Sequence, residues 1–439
     1  MKRTSAILLS ALVLVSVIAT GVLGAQTGLF SLSGSGDSDG EAPTSDASSG
    51  AATADTGEGT AATEPATSGE ANGTAGSEAR TDSEASETPD SEASATPPPG
   101  DGHVEPTAVG TCTVIDEPGR YVLARNLTNA SAGSCLTITA DEVHVDGGGH
   151  EVDAAFDERA DDPSDPREGV GVAVGGDESV ENVTVSNLTA TDWETGVAYE
   201  NASGGELRNV EVRSSATGVA FSDTDDSRIK AVAVADAREG DAVVLRSSDG
   251  NRLVDNTVSD NDFTSIAGNA GGVALSASSD NVIRNNTLAE SNAGVRLDES
   301  SDDNEIVGND LRIVEMGGVA IRADGSGGTE IRENEIKRAA DVQGITGVEL
   351  SGATDTTVRN NAFVAVDVRI ADASENVEVR GNLLTDGVLD VGGGSVDVSV
   401  IGNRLVDGRI RVDAGAENVT VRDNELVGGD VSREDGGSE

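Results

Sequence analysis

Aromatic residues are the scarcest part of this sequence. Five Phe, two Tyr and one Trp are all that the 439 residues contain, so a large core built around aromatic rings is excluded. Lysine is nearly absent too, at positions 2, 230 and 337 only. Because 79 acidic residues face 29 basic ones, the net charge is −50. A phosphate backbone would be repelled by such a chain, which excludes nucleic acid as a partner.

The charge imbalance points to a salt-rich environment. A domain with this acidic surplus repels itself at ordinary ionic strength, whereas at molar salt the Debye length falls to about 3 Å. The acid-rich, lysine-poor composition resembles that of proteins from salt-loving archaea and implies a halophilic protein. The rival interpretation is a polyanion that captures cations, with calcium as its ligand. Otherwise no cofactor is expected.

The first 30 residues have the features of a targeting segment. Lys2 and Arg3 precede an apolar run from Ala6 to Gly24, which is long enough to cross a bilayer. A cleaved signal peptide and an uncleaved signal anchor both remain open. Contact with a membrane is expected only through this segment, and the rest of the chain is expected to be secreted or displayed at the cell surface.

Residues 31–105 are predicted to form a disordered acidic stalk. They are rich in Ser, Thr, Ala, Gly and acidic residues, contain no aromatic residue, and end in the stiff run Pro97–Gly100. Such a segment buries too little apolar surface to offset its ordering entropy. The predicted organisation is therefore a segment 1–30, a stalk 31–105 and a folded domain 106–439. A glycoprotein is expected from the sequons at Asn72, Asn126, Asn129, Asn182, Asn187, Asn201, Asn285 and Asn418.

A repeat of the form apolar-x-x-Asn runs through the second half of the chain. Its asparagines, 21 to 30 residues apart, are Asn256, Asn286, Asn309, Asn334, Asn361, Asn382, Asn403 and Asn424. Periods of this length indicate a solenoid. Short alternating strings such as Val377-Glu-Val379 indicate strands, and no stretch keeps a helical period. The pattern predicts an all-β parallel β-helix of roughly 13 coils, about 60 Å long.

The repeated asparagines are assigned a structural role. Each is expected at a tight turn, where Asn tolerates the left-handed conformation and its amide bonds to the next Asn in a ladder. The two cysteines, Cys112 and Cys135, open the predicted domain. In an exported protein they are most simply a disulfide that staples the first coil, and a metal site is the minor alternative.

The start of this domain resembles a known superfamily. The segments Cys112–Leu123, Asn126–Thr128, Cys135–Ile138 and Val143–His150 are similar to the opening of right-handed parallel β-helix proteins of the NosD-like, pectin-lyase-like superfamily. The resemblance covers about 110–430. It implies a single right-handed β-helix. The superfamily includes polysaccharide lyases and hydrolases, surface carbohydrate binders and the copper-associated NosD proteins.

Length variation within the repeat predicts where loops lie. The distance from each Asn to the next Gly-Val pair varies widely, and the reverse distance is nearly fixed. Loops at 188–195, 257–271 and 335–346 are expected on one side of the rod, and the last coils are expected to lack them. The insertion Ala154–Glu168 is expected to project near the N-terminal end. Either these loops form a binding face or they reflect tolerated drift.

Catalytic motifs are sparse. The pattern of the polygalacturonases is matched at one point only, Arg228-Ile229-Lys230, and the accompanying carboxylate and histidine motifs are missing. The tripeptide is therefore interpreted as chance. Copper requires His, Met or Cys ligands, and the chain has three histidines, with His103 in the stalk. The best metal candidates are His144, Asp146 and His150, for which a plain turn is the alternative.

Sugar binding usually employs aromatic platforms. The single tryptophan, Trp193, lies between Asp192 and Glu194 and close to Tyr199. These four residues are the predicted binding site, and the structural alternative is that Trp193 covers the core. The favoured function is a surface-displayed, non-catalytic binder of carbohydrate or another cell-envelope component. The alternatives are a polysaccharide lyase or glycoside hydrolase, a NosD-like copper accessory protein, and a structural spacer.

Overall fold

A computed structural model describes most of the predicted domain. The described residues are 105–128, 133–154, 169–238, 240–259, 271–291, 293–314, 317–339, 342–371 and 373–434. The predicted targeting segment 1–30, the stalk up to residue 104 and residues 155–168 of the predicted insertion lie outside them. The regular elements within these ranges are strands, and none of their residues forms a helix that could cross a membrane.

The described residues form 39 short strands. In chain order they are β1 Thr107–Val109, β2 Thr113–Ile115, β3 Gly119–Leu123, β4 Leu127–Thr128, β5 Leu136–Ile138, β6 Val143–Asp153, β7 Val170–Glu181, β8 Thr184–Thr191, β9 Thr195–Ser203, β10 Glu206–Arg208, β11 Glu211–Arg213, β12 Thr217–Ser222, β13 Arg228–Lys230, β14 Ala233–Ala235, β15 Val243–Arg246, β16 Arg252–Val254, β17 Thr257–Ser259, β18 Val273–Ser276, β19 Val282–Arg284, β20 Thr287–Ser291, β21 Ala293–Leu297, β22 Glu305–Val307, β23 Asp310–Ile313, β24 Val319–Asp324, β25 Glu330–Arg332, β26 Glu335–Arg338, β27 Thr346–Ser351, β28 Thr357–Arg359, β29 Ala362–Val364, β30 Asp367–Ala371, β31 Glu378–Arg380, β32 Leu383–Thr385, β33 Val388–Val391, β34 Ser399–Ile401, β35 Arg404–Val406, β36 Arg409–Val412, β37 Thr420–Arg422, β38 Glu425–Val427 and β39 Val431–Arg433.

These strands belong to a 25-stranded and a 14-stranded sheet. Each coil from β10 onward contributes three strands, and each strand pairs in parallel with its equivalent in the next coil, as β10 does with β13, β11 with β14 and β12 with β15. We call the stack that contains β10 the first column, that of β11 the second column, and the 14-stranded sheet the third column. The result is a single right-handed parallel β-solenoid of about 12 turns, which confirms the predicted fold.

The core is a stack of aliphatic side chains. In the first column, Leu207, Ile229, Leu253, Ile283 and Ile306 occupy successive coils in register, and all are buried. Because each inward side chain packs on its equivalents above and below, the interior is filled without aromatic anchors. Alternation along each strand then directs the flanking residues to solvent.

The repeated asparagines form a ladder between the first two columns. The side-chain amide nitrogen of Asn309 donates to Asn334 Oδ1 at 2.9 Å and to the carbonyl of Ile283 at 2.9 Å. The Oδ1 atom of Asn309 accepts from the backbone and side-chain nitrogens of Asn286, at 2.8 and 3.0 Å. The pattern continues to Asn424, so each buried amide is satisfied by its neighbours.

The left-handed conformation expected of these asparagines is found one residue earlier. Positive φ angles occur at Asp255, Asn285 and Asn360, which precede the ladder residues Asn256, Asn286 and Asn361. The prediction was wrong on this point because the amide reaches the next coil only from an inward-facing position. The exposed residue before it makes the turn. A second set of buried asparagines, which the sequence analysis missed, extends the same type of bonding at another corner through Asn251, Asn281 and Asn304.

Length variation concentrates at the corner between the second and third columns. Residues 236–242, 260–272 and 339–345 separate the strands there, and in the last coils the connections shrink to pairs such as 386–387. The predicted loops 257–271 and 335–346 overlap these connections, but their first residues belong to β17 and β26, and residues 260–270 lie outside the described ranges. The prediction of a loop at 188–195 was wrong, because β8 continues to Thr191 and only three residues, 192–194, connect it to β9.

The first coil is stapled by a disulfide. Cys112 and Cys135 are bonded, with their Cα atoms 4.5 Å apart and 23 residues between them in sequence. The bond confirms the pairing that was predicted. Neither thiol is therefore a metal ligand.

Candidate functional site

The outward positions of the first column carry an unusual run of positive charge. In β13, β16 and β19 the middle residue points inward and the two flanking residues point outward. In register, Arg228 lies beside Arg252, and Arg208 lies beside Lys230. One coil further, Val254 separates Lys230 from Arg284. We call Arg228, Lys230, Arg252 and Arg284 the basic stripe.

The basic stripe is not neutralised by its surroundings. None of its four cations forms an ion pair or a side-chain hydrogen bond with any residue that the structure describes. The Nε atom of Arg228 is buried without a hydrogen-bond partner. Like charges on neighbouring strands are destabilising, and carboxylates are abundant elsewhere in the chain. The arrangement therefore has no structural benefit among the described residues.

At its N-terminal end the stripe leads into a cleft. Arg208, held by Glu206 of its own strand at 3.2 Å, forms the boundary. The cleft has a volume of about 480 Å³. Its lining residues are Glu105, Pro106, Arg120, Tyr121, Val122, His144, Val145, Asp146, Thr184, Ser186 and Arg208. Its polar groups offer both donors and acceptors to a ligand with hydroxyl groups.

Asp146 is the fixed anion of this cleft. Its Oδ1 atom accepts hydrogen bonds from the Gly148 backbone N–H and from Asn187 Nδ2, both at 3.0 Å. These bonds, with a smaller contribution from the charge of Arg208, hold the pKa of the Asp146 carboxyl below its usual range. The charged form is therefore positioned before any ligand arrives.

Towards the C-terminal end, the first column becomes neutral by pairing. Arg332 forms ion pairs with Glu305, Glu330 and Glu333. Arg359 contacts the other carboxylate oxygen of Glu330 at 2.6 Å. Glu206 lies in register with the stripe on its N-terminal side, and the next carboxylate in register is Glu305. The cations of the first column therefore change from unpaired to paired at the coil that contains Glu305.

The predicted metal ligands do not converge. His144 and Asp146 are exposed on the first-column part of β6, whereas His150 lies beyond the bend of that strand and bonds Asn126 through Nδ1 at 3.2 Å. The described part of the chain contains no group of three or more His, Cys, Asp or Glu side chains that could hold a metal ion. These residues do not fit a copper centre.

The predicted aromatic platform lies inside the rod. Trp193 and Tyr199 are each 1% exposed. The indole nitrogen of Trp193 donates to the carbonyl of Val152 at 3.0 Å, and the Tyr199 ring lies 4.9 Å from that of Phe221. A ring closed off from solvent has no face for a sugar. The burial agrees with the structural alternative, in which Trp193 covers the core.

The acidic neighbours of Trp193 make structural contacts. Asp192 lies in the left-handed conformation and its carboxylate is 3.8 Å from Arg238 Nη2. Glu194 accepts a hydrogen bond from the Gly169 backbone N–H at 3.4 Å. Both contacts join the short turn 192–194 to adjacent connections. The four predicted binding residues therefore do not form a common ligand surface.

A cluster of carboxylates and arginines lies on the third column. Arg296 contacts Asp241 at 3.3 Å and Asp298 at 3.2 Å. Burial raises the pKa of Asp241, against the opposing charge of Arg296, and burial likewise raises the pKa of Asp324. The Gly271 backbone N–H also donates to Asp241. These bonds tie the long connection before β18 to the sheet, which is a structural role.

Two family models match the chain over overlapping ranges. Residues 152–344 match the family described as periplasmic copper-binding protein (NosD), and residues 265–426 match the right handed beta helix region. The chain is a right-handed parallel β-helix repeat protein. Among curated proteins, none matches its sequence. The copper chemistry in the description of the NosD family finds no matching ligand set among the described residues of this β-helix protein.

Several solved structures match this chain at low sequence identity. The surface protein and adhesin PfbA of Streptococcus pneumoniae is 12% identical, with 73% of this chain and 91% of that chain covered and a TM-score of 0.42. The tailspike of E. coli bacteriophage HK620, solved with a pentasaccharide, is 13% identical, with 73% and 70% covered and a TM-score of 0.45. The periplasmic alginate epimerase AlgG is 12% identical, with 72% and 77% covered and a TM-score of 0.36. With identities of 12–13% and TM-scores below 0.5, these matches carry no argument about what this chain does.

The basic stripe was missed in the sequence, although a signal for it was present. The repeat pattern fixes Leu253 and Ile283 as inward residues, so the residues on either side must face solvent. Reading those flanking positions in every repeat would have shown Arg252 and Arg284 aligned with the tripeptide Arg228-Ile229-Lys230. Along the chain the tripeptide completes no motif, and its alignment with Arg252 and Arg284 is visible only across coils.

Proposed function

We propose that this β-helix protein is exported and binds an acidic polysaccharide of the cell envelope without turning it over. The observation that carries the proposal is the basic stripe: four unpaired cations on adjacent coils of a protein whose net charge is −50. Charge-assisted hydrogen bonds from Arg to carboxylate or sulfate groups would supply the attraction that nothing within the described residues provides.

The spacing of the stripe suits a linear polymer. Neighbouring strands lie about 4.8 Å apart, so a chain that runs along the rod axis meets a new pair of outward side chains at each coil. A polysaccharide with one acidic group on each sugar repeats its charge over a comparable length. The cleft at the end of the stripe would receive the next sugars through Arg120, Asp146 and Ser186. A DNA duplex is disfavoured, because its width would bring it against the acidic corners.

Export and display are supported by features of the sequence. The apolar segment within residues 1–30 and the acidic stalk 31–105 would hold the rod away from a surface. The Cys112–Cys135 disulfide is of the kind that persists in oxidising compartments. The NosD family is described as periplasmic, which is consistent with a place in the envelope or outside the cell.

A glycan array tests the proposal. The full chain is applied at several salt concentrations to neutral and acidic polysaccharides, and retention of the acidic ones alone is expected. The variant R252Q/R284Q should weaken this binding by about tenfold or more, because two charge-assisted contacts are lost. The control R380Q/R422Q removes the same charge from exposed, paired arginines of the same column and should change affinity less than about twofold.

The array also separates the alternatives. Binding of neutral polymers only, or equal losses in both variants, would overturn the proposal. Retention of duplex DNA in place of acidic polysaccharide would assign the stripe to another partner. An assay for reducing ends and unsaturated products, run on every bound polymer, is expected to show no turnover. Turnover would support the lyase or hydrolase alternative, and a spacer would bind nothing.

A further inference from the structure

A second charged cleft lies at the opposite end of the rod, on the third column. Its volume is about 360 Å³. It is formed by the outward residues of three successive strands, β30, β33 and β36. In register, Arg369 lies beside Asp390, and Asp390 lies beside Arg411. No proposed contact of the basic stripe involves this column.

The acids around this cleft are already engaged. Asp390 is held by Arg411 in a two-point contact, with Nε to Oδ1 at 2.8 Å and Nη2 to Oδ2 at 2.5 Å. Glu349, the neighbour of Arg369 on the other side, is paired with Arg322 at 3.1 Å. Asp367 accepts the backbone N–H of Val388 through Oδ1 at 2.8 Å.

Two guanidinium groups of this cleft have no ion-pair partner among the described residues. Arg369 and Arg409 line the cleft, and neither forms an ion pair or a side-chain hydrogen bond with a residue in the described part of the chain. Arg369 is flanked by two carboxylates, yet both of these bind the arginine on their far side. Asp386 and Asp407, at the adjacent corner, form no ion pair with Arg409 either. The two side chains are exposed, lie on short strands, and have no ion-pair partner in the described part of the chain.

We infer that Arg369 and Arg409 form a binding site for a single oxyanion group, such as a carboxylate, sulfate or phosphate. Arg presents paired N–H donors that match the oxygens of such groups. Because Asp390 is paired with Arg411 and Glu349 with Arg322, neither carboxylate neutralises Arg369. The connections 365–366, 386–387 and 407–408, which precede the three strands, are two residues long each. The ligand is therefore one acidic group, either free or carried by a sugar.

Titration with three probes tests the inference. Glucuronate, inorganic sulfate and inorganic phosphate are titrated into the full chain in chloride buffer, and binding is followed by calorimetry. The variant R369Q/R409Q should weaken binding about tenfold or more, because both charged donors are lost. The control R380Q/R422Q, which removes the same charge from paired arginines of the first column, should bind these small probes as the unaltered chain does.

Each outcome decides the question. Similar affinity for all three probes would identify a site for free oxyanions, and preference for glucuronate would identify a site for an acidic sugar. Absence of binding, or equal binding by R369Q/R409Q, would overturn the inference. Because polymer binding is measured separately on the basic stripe, either site can fail while the other stands.

Discussion

The two ends of the first column have the same backbone register but differ in whether their outward cations form ion pairs. Between β13 and β19 its outward cations have no partners, whereas between β22 and β31 its arginines pair with glutamates on the same or the adjacent coil. Backbone geometry cannot explain the contrast, because the register is continuous through both regions. Only the side chains differ. The paired region stabilises the rod, and the unpaired region is available to a ligand.

The largest expected effect on stability comes from changing the asparagine ladder, which both regions share. Asn309→Ala removes a buried amide and leaves the backbone N–H of Asn286 without its acceptor, so we expect a loss of about 3 kcal/mol in the free energy of unfolding. Denaturant unfolding at constant salt measures it. Asn285→Gly, at the exposed left-handed position, serves as the control and should cost less than about 0.5 kcal/mol. Equal losses would show that the ladder is not the main contribution.

A smaller loss of stability is expected when a paired arginine is replaced. Arg332→Gln leaves Glu305 and Glu330 with fewer partners and should lower the free energy of unfolding by about 1–2 kcal/mol, because the guanidinium is half-buried. Arg252→Gln in the basic stripe should leave stability unchanged or slightly raised, since it relieves repulsion from Arg228. The same denaturant experiment compares the two. If Arg252→Gln were the more damaging change, the distinction between the regions would not hold.

A carboxylate placed within the basic stripe should pair its cations, as the glutamates do in the C-terminal part of the first column. Val254 lies in register between Lys230 and Arg284, so Val254→Glu would pair both. We expect a stability change below about 1 kcal/mol, together with loss of binding to acidic polysaccharide. Val254→Gln has the same shape without the charge and should keep most of the binding. Equal binding by the Glu and Gln variants would contradict a charge-based interaction.

The smallest effect concerns the buried carboxyl on the third column. Burial raises the pKa of Asp241 in the folded protein, so its contribution to stability is present at low pH and is lost as the pH rises through the folded value. The free energy of unfolding of the unaltered chain, relative to Asp241→Asn, should therefore fall as the pH is raised above about 4. Unfolding measured at several pH values gives this difference. A rise with pH would mean that the Arg296 ion pair outweighs burial.

The fold could be predicted because its signals recur. The spacing of Asn309, Asn334 and Asn361 repeats one requirement, a buried amide at a fixed corner, and the flanking aliphatic residues repeat the core. The exact turn residue could not be predicted, because both Asn285 and Asn286 are compatible with a left-handed turn. Only the stacking of coils shows which of the two points inward.

The candidate site was less accessible to sequence reasoning. Trp193 was chosen because it is the single tryptophan, yet rarity along the chain says nothing about the direction of a side chain. The residues of the basic stripe are ordinary one at a time, and become unusual only when Arg228 and Arg252 are placed side by side. The same holds for Arg369, whose lack of a partner depends on how Asp390 and Glu349 are already bonded.

Because the final coils are all 21 residues long, a further coil could be added to the rod without a mismatch. Val358, Val379, Val400 and Val421 occupy one stack at intervals of 21 residues. A duplication of 21 codons within this part of the gene would insert a complete coil whose upper and lower surfaces match those already present. Selection could thus adjust the length of the molecule in steps of one coil.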